Sequence, residues 1–194
     1  MSWRQRPQGG VAVGRRSWPG LIGPPTTAMR RIFASAPADE AACLSAHRTL
    51  HDYPFLLQWQ PDAAWDAYLR LLDGLRTGRA VPAGLVRSTF LLAEDDGALV
   101  GRLSVRFELN EFLAAEGGHV GYAVLPAFRR RGHATEIMRR AVTIARDGGV
   151  ERILVICDDD NLASSTVIER SGGKLESVVS RADDGPPFRR YCID

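Results

Sequence analysis

The run from His119 to Asp158 leaves this chain the fewest choices. HVGYAVL reads as a strand that stops at Pro126, and after FRRRGHA the period becomes helical. From Thr135 to about Arg146 the spacing predicts a helix. Ala134, Ile137, Met138, Ala141, Ile144 and Ala145 share one face, and Glu136, Arg140 and Thr143 point outward, with Glu136 and Arg140 in the favourable order for an ion pair. Asp147-Gly148-Gly149 ends the helix. RILVICD at 152–158 is then a continuous apolar run rich in β-branched residues, which marks a buried central strand. A strand, a one-faced helix and a buried strand in this order require a sheet with a helix packed on it.

The flanks complete the layers. RIFASA at 31–36 reads as a short strand; helices follow over Ala41–Leu50 and, from the Pro61-Asp62 start signal, over Asp62–Leu75, where Trp65, Leu69 and Leu72 recur at helical spacing. TFLLAE and ALVGRLSVRFEL flank Asp95-Asp96-Gly97 as an antiparallel hairpin, and Asn110–Gly117 reads as a loop. After the buried strand come a short helix, Asn161 to Arg170, and two strands, KLESVVS and FRRYCI. The expected fold class is α+β, or mixed α/β, in a single domain over residues 29–194 with helices on the faces of one sheet.

Residues 1–28 differ in kind. They carry Arg4, Arg6, Arg15 and Arg16, no acidic residue, and frequent Gly and Pro, so they can bury a face at neither helical nor strand period. They read as a disordered extension or as a translated leader preceding Met29. The Gly and Pro spoil the amphipathic helix of a transit peptide.

A formal charge of +2 gives no large field of one sign, which argues against nucleic-acid or membrane partners and makes any anion site local. No apolar run approaches the roughly 20 residues needed to span a bilayer. Cys43, Cys157 and Cys192 stand far apart with no CxxC pair, so they read as small buried hydrophobes of a reducing cytoplasm, and no metal site is expected. Asp158, Asp159 and Asp160 lack the alternation of a calcium loop and read as a solvated turn, with Asn161 capping the next helix.

The charge in FRRRGHA falls where a strand hands over to a helix. Free backbone N–H groups and the positive end of the helix dipole bind phosphate there. Gly132 admits close approach, Ala134 is small, and Arg129, Arg130 and Arg131 add charge-assisted donors. The alternatives are a solvated basic loop edge or a nucleic-acid contact. The Walker and GxGxxG signatures are both absent.

GYAVLPAFRRRGHATEIMRRAV resembles the acyl-CoA-binding motif of the GNAT superfamily of N-acetyltransferases, Arg or Gln, two residues, Gly, one residue, Gly or Ala, met here by Arg129, Gly132 and Ala134. VICDDDNLASSTVIERSGG resembles the second half of that domain, and the likeness runs from about Arg30 to Asp194, closest to bacterial members of unassigned substrate. The resemblance implies a mixed central sheet with an antiparallel amino-terminal meander, splayed between strands 4 and 5. It implies acetyl-CoA as donor and an amine acceptor, with Ala123, Val124 and Leu125 offering main chain to the pantothenate arm, Arg131, Gly132, His133 and Ala134 offering N–H groups to the pyrophosphate, and Asn161 on the pantetheine. It leaves the protein a monomer or a homodimer. The family's strand-four glutamate aligns with Gly118, so His119 and Glu116 become the candidates for a base. Its tyrosine acid aligns with Ile168, so Ser164, Ser165 or Tyr191 stand in. Tyr122 reads as an aromatic of the core or wedge. The rival expectation is an acyl-CoA-binding module without transferase activity.

Overall fold

Two antiparallel sheets meet at a single point. The computed structural model describes residues 31–50, 53–181 and 185–194; the expectation for residues 1–28 lies outside them. The first sheet has the order β1-β2-β3-β4, formed by Arg31–Phe33, Ser88–Asp95, Ala98–Arg106 and Val120–Val124. The second has the order β5-β7-β6, formed by Ile153–Asp158, Phe188–Ile193 and Lys174–Val179. The hairpin between β2 and β3 turns on Asp96 and Gly97, both at positive φ (47° and 80°), the paired left-handed geometry that matches strand twist.

Four helices cover the faces. α3 (His133–Asp147) and α4 (Leu162–Arg170) lie on one face, where Ile137, Met138 and Ile144 are wholly buried against Leu103, Val105 and Ile153. Burying each such side chain is worth about 1.5–3 kcal/mol over leaving it in water. α1 (Glu40–Thr49) and α2 (Trp65–Thr77) cover the other face with Cys43, Trp65 and Tyr68 over Phe90 and Leu92. Helices on the faces of antiparallel strands match the expected α/β class, with the strands divided between two sheets where one mixed sheet was expected.

Several local expectations shift. β1 is three residues, because Pro37–Asp39 already turns as a 3-10 helix. α2 starts three residues later than its Pro-Asp signal, at Trp65, whose indole donates to Ala36 O (3.2 Å), and Gly78 at φ 70° ends it. The expected loop before β4 contains a π-helical turn, Leu113–Gly117. Arg140 lies along the helix and pairs with Glu136 (2.7 Å), as the spacing implied. The aspartates are not simply solvated: Asp158 pairs with Arg181 (3.3 Å) and Asp159 with Arg189 (2.6 Å). All three cysteines are buried and free. Among the described residues no helix is long and apolar enough to cross a membrane.

The sheets are joined where His119 N–H donates to Leu154 O (2.7 Å). Gly118, just before, holds φ 63°, and a Cβ there would stand 2.7 Å from Leu154 O. Gly118→Ala is therefore expected to cost about 1–3 kcal/mol of stability. Urea unfolding of the two proteins measures it; an unchanged midpoint would mean the junction tolerates a side chain.

Candidate functional site

From His119 onward β4 and β5 belong to separate sheets. Leu125 N–H donates to Val100 O (2.9 Å) and Arg106 N–H to His119 O (2.8 Å). The alternation of an antiparallel pair then turns the peptide groups of Ala123 and Leu125 toward β3, and those of Tyr122 and Val124 into the gap. Of the three main-chain positions expected to receive a ligand, Ala123, Val124 and Leu125, only Val124 faces it; Tyr122 is the second. Arg129 Nε donates to Val124 O (3.1 Å), so this arginine holds the turn against the strand end.

The turn itself is a concave row of donors. Arg130 (φ 64°) and Gly132 (φ 84°) are both left-handed, and nothing lies within 4 Å of where a Cβ on Gly132 would stand. A turn with left-handed residues is a setting in which neighbouring N–H groups can converge on an anion. Glu136 N–H to Gly132 O (3.2 Å) is the first bond of α3, so the N–H groups of His133, Ala134 and Thr135 have no acceptor within the helix. Arg130 and Arg131 are exposed beside them. The His133 ring points the other way: it is buried, edge-on to Phe128, with Nε2 4.0 Å from Asp95 Oδ2. His133 contributes its backbone to this turn and its side chain to the core.

Across the gap, α4 opens with Asn161 Oδ1 accepting from Ser164 N–H (3.0 Å), the expected cap. Ser164 Oγ lies 3.0 Å from Tyr122 Oη, so a phenol from β4 meets a hydroxyl from α4. Burial pushes Tyr122 above the ordinary phenol range, so it remains protonated. Cys157, beside Ser164, is pushed up to about 11 by burial. Tyr122 is the residue that the sequence placed as a wall; only the register shows that its hydroxyl reaches α4.

The other candidates lie elsewhere. Tyr191 is wholly buried on β7, with β5 between it and the gap, and donates to Glu169 Oε1 (3.1 Å). Glu116 is exposed in the π-helical turn before the sheet junction. His119 Nδ1 accepts from Leu154 N–H (2.9 Å), which spends the lone pair a base needs. Burial is the main cause that lowers its pKa. Ser165 is buried and donates to Leu162 O (3.1 Å). Ile168, at the expected tyrosine position, is wholly buried. Of the catalytic candidates, only Ser164 sits in the gap.

On the opposite face of the sheet, over β2 and β3, lies a cavity of about 240 Å³ between α2, the strands and the π-helical turn. Tyr53, Gln58, Ser88, Thr89, Ser104, Arg106 and Asn110 supply its polar lining, and among the described residues no carboxylate lines it. Arg106 Nη1 donates to Gly117 O (3.3 Å) and Gly118 O (3.2 Å). Among the described residues no cluster of His, Cys, Asp and Glu could hold a metal ion.

Residues 45–172 match the acetyltransferase (GNAT) family. No curated protein matches the chain. Among solved structures, the ribosomal L7/L12 alpha-N-protein acetyltransferase RimL in complex with coenzyme A superposes with a TM-score of 0.62 at 21% identity, over 88% of this chain and 96% of that one. RimJ of Mycobacterium smegmatis, with CoA-disulfide, gives 0.62 at 17% identity over 86% and 85%. The Salmonella typhimurium protein yncA, with acetyl-CoA, gives 0.57 at 17% identity over 84% and 92%. At these identities the likeness is one of fold.

His119 yields a pH prediction. A histidine whose folded pKa is depressed binds fewer protons folded than unfolded, so its contribution is present above its ordinary value of 6.5 and is lost as pH falls. The stability gap between wild type and His119→Ala should be about 1–3 kcal/mol at pH 7.5 and should narrow by pH 5.5. Denaturant midpoints at the two pH values test this; a gap that widens on acidification contradicts it.

Proposed function

The chain belongs to the acetyltransferase (GNAT) family, and from that membership we propose that it transfers the acetyl group of acetyl-CoA to a primary amine of a small-molecule or protein acceptor. The observation that supports this most directly is the gap between β4 and β5, with the donor nest at Arg130–Thr135 at its mouth and a protonated phenol inside it.

In this reading the N–H groups of His133, Ala134 and Thr135 take the diphosphate, and Arg130 and Arg131 clamp it from outside. Val124 N–H and the Tyr122 peptide extend the strand edge to the pantetheine arm, as a sheet edge takes up a peptide. Asn161, its oxygen spent on the cap, offers its amide nitrogen. Acetyl-CoA supplies an acyl group already activated as a thioester.

The amine must arrive neutral, and a proton must reach the leaving thiolate. Gly118 leaves no room for the carboxylate other members place there, because a Cβ already meets Leu154 O. Arg106 in the acceptor cavity compensates in part, since a cation beside an amine lowers its pKa and favours the neutral form. Tyr122, hydrogen-bonded to Ser164, returns a proton to the thiolate, replacing the tyrosine absent at Ile168. Holding both substrates together supplies much of the remaining rate.

A second reading, an acyl-CoA-binding module without turnover, draws on Gly118 and Ile168. It predicts binding with no thiol release for any amine.

Calorimetric titration with acetyl-CoA decides the first step. Saturable binding is expected, and none at millimolar acetyl-CoA contradicts the proposal. Gly132→Glu, which brings bulk and negative charge to a left-handed position, should abolish binding, whereas Arg130→Ala should weaken it by about tenfold, the worth of one charge-assisted contact of about 1.4 kcal/mol. Equally mild effects would contradict the nest. Tyr122→Phe should lower kcat by about 10²-fold with little change in KM for acetyl-CoA; an unaltered kcat removes Tyr122 from catalysis.

A further inference from the structure

Two guanidinium groups converge on the acceptor side, and among the described residues no acid stands between them. Arg102, on β3, is wholly buried. Its Nη2 donates to Pro54 O (3.0 Å), while Nε and Nη1 have no partner. Arg106, on the same strand and the same face, lines the cavity. They converge with Ser104 above Gly121: a Cβ there would stand 3.0 Å from Ser104 Oγ and 3.5 Å from both Arg102 Nη1 and Arg106 Nη1. The Tyr53 ring covers Arg102, its centroid 5.1 Å from the guanidinium carbon.

Burial pulls Arg102 down to about 10, with the Arg106 charge adding to the effect and Tyr53 opposing it, and burial lowers Arg106 as well, so both remain charged at neutral pH. A buried cation with unmade hydrogen bonds is costly and persists where an anion completes it. Among the described residues no Asp or Glu does so.

We propose that the acceptor itself carries the missing anion: a carboxylate held over Gly121 by Arg102, Ser104 and Arg106, on a small amine of amino-acid class. This deepens the acetyltransferase reading and rests on it. A planar carboxylate matches the guanidinium fork. The cavity beside this point, lined by Ser104 and Arg106 and about 240 Å³ in volume, lies below the roughly 300–1,000 Å³ of drug-sized ligand sites, which favours a small acceptor. A polyamine meets two cations and no carboxylate there, and is rejected by like charge.

The test follows thiol release by the full chain at saturating acetyl-CoA. Each proteinogenic amino acid is compared with the amine lacking its carboxylate, and spermidine serves as the polycation. At least one amino acid should exceed its decarboxylated partner in kcat/KM by about 100-fold. Arg102→Met should collapse that ratio toward one by raising KM for the amino acid and not for acetyl-CoA, and Arg102→Lys should restore part of it. Should Arg102→Met fail to fold, Arg106→Gln and the wild-type ratios carry the same comparison. Equal rates for matched pairs, or a preference for spermidine, overturn the proposal and leave the acetyltransferase reading standing. If acetyl-CoA binds and no amine is acetylated, that reading fails instead. Calorimetry with the amino acids then decides the anion site: binding lost in Arg102→Met supports it, and no binding overturns it.

Discussion

Everything functional in this fold depends on β4 and β5 meeting once and then separating. The meeting is made by His119, which donates its backbone N–H to Leu154 O and accepts the Leu154 N–H on Nδ1. One residue thus satisfies both backbone groups of its neighbour and ends the pairing. Beyond it the β4 edge turns the peptide groups of Tyr122 and Val124 away from β3; Arg129 completes Val124 O, and buried groups left over are costly unless water or a ligand completes them. That is why the gap is the proposed donor site, with α3 following β4 through the turn at 125–132.

The two faces of the first sheet divide the chemistry. On one, α3 and α4 bring the turn before α3 and the Tyr122–Ser164 pair to the gap; on the other, α2 helps enclose a cavity whose polar lining combines Arg106 with hydroxyl and amide groups. β4, with five residues, serves both, since Tyr122 points to the first face and Gly121 opens the second. Gly121 has no side chain to fill the space between Arg102 and Arg106, and Gly118 has none to offer a base. Both absences follow from close approach of neighbouring atoms.

What was legible in the sequence is what local period and local chemistry encode. The hairpin at Asp96-Gly97, the faces of α3 and the cap at Asn161 all have short-range signals, and the turn into α3 announced itself by a glycine between a strand and a helix. The site on the acceptor side had no such signal. Arg102, Ser104 and Arg106 alternate with apolar residues, the pattern of a solvated strand face, yet the segment at Tyr53–Leu57 covers them. Tyr122 was similarly ambiguous, because only the β3–β4 register decides which peptide groups and which side chains face β5. His119 looked like a base from its type and became a junction from its partners.

Amide hydrogen exchange on the full chain tests the central geometry most directly. Without ligand, the amides of His119 and Leu154 should be protected while those of Tyr122 and Val124 exchange readily, and acetyl-CoA should slow the latter pair. If Tyr122 and Val124 are as protected as His119 in the free protein, or stay unprotected when acetyl-CoA is bound, the gap between β4 and β5 is not the seat of the donor.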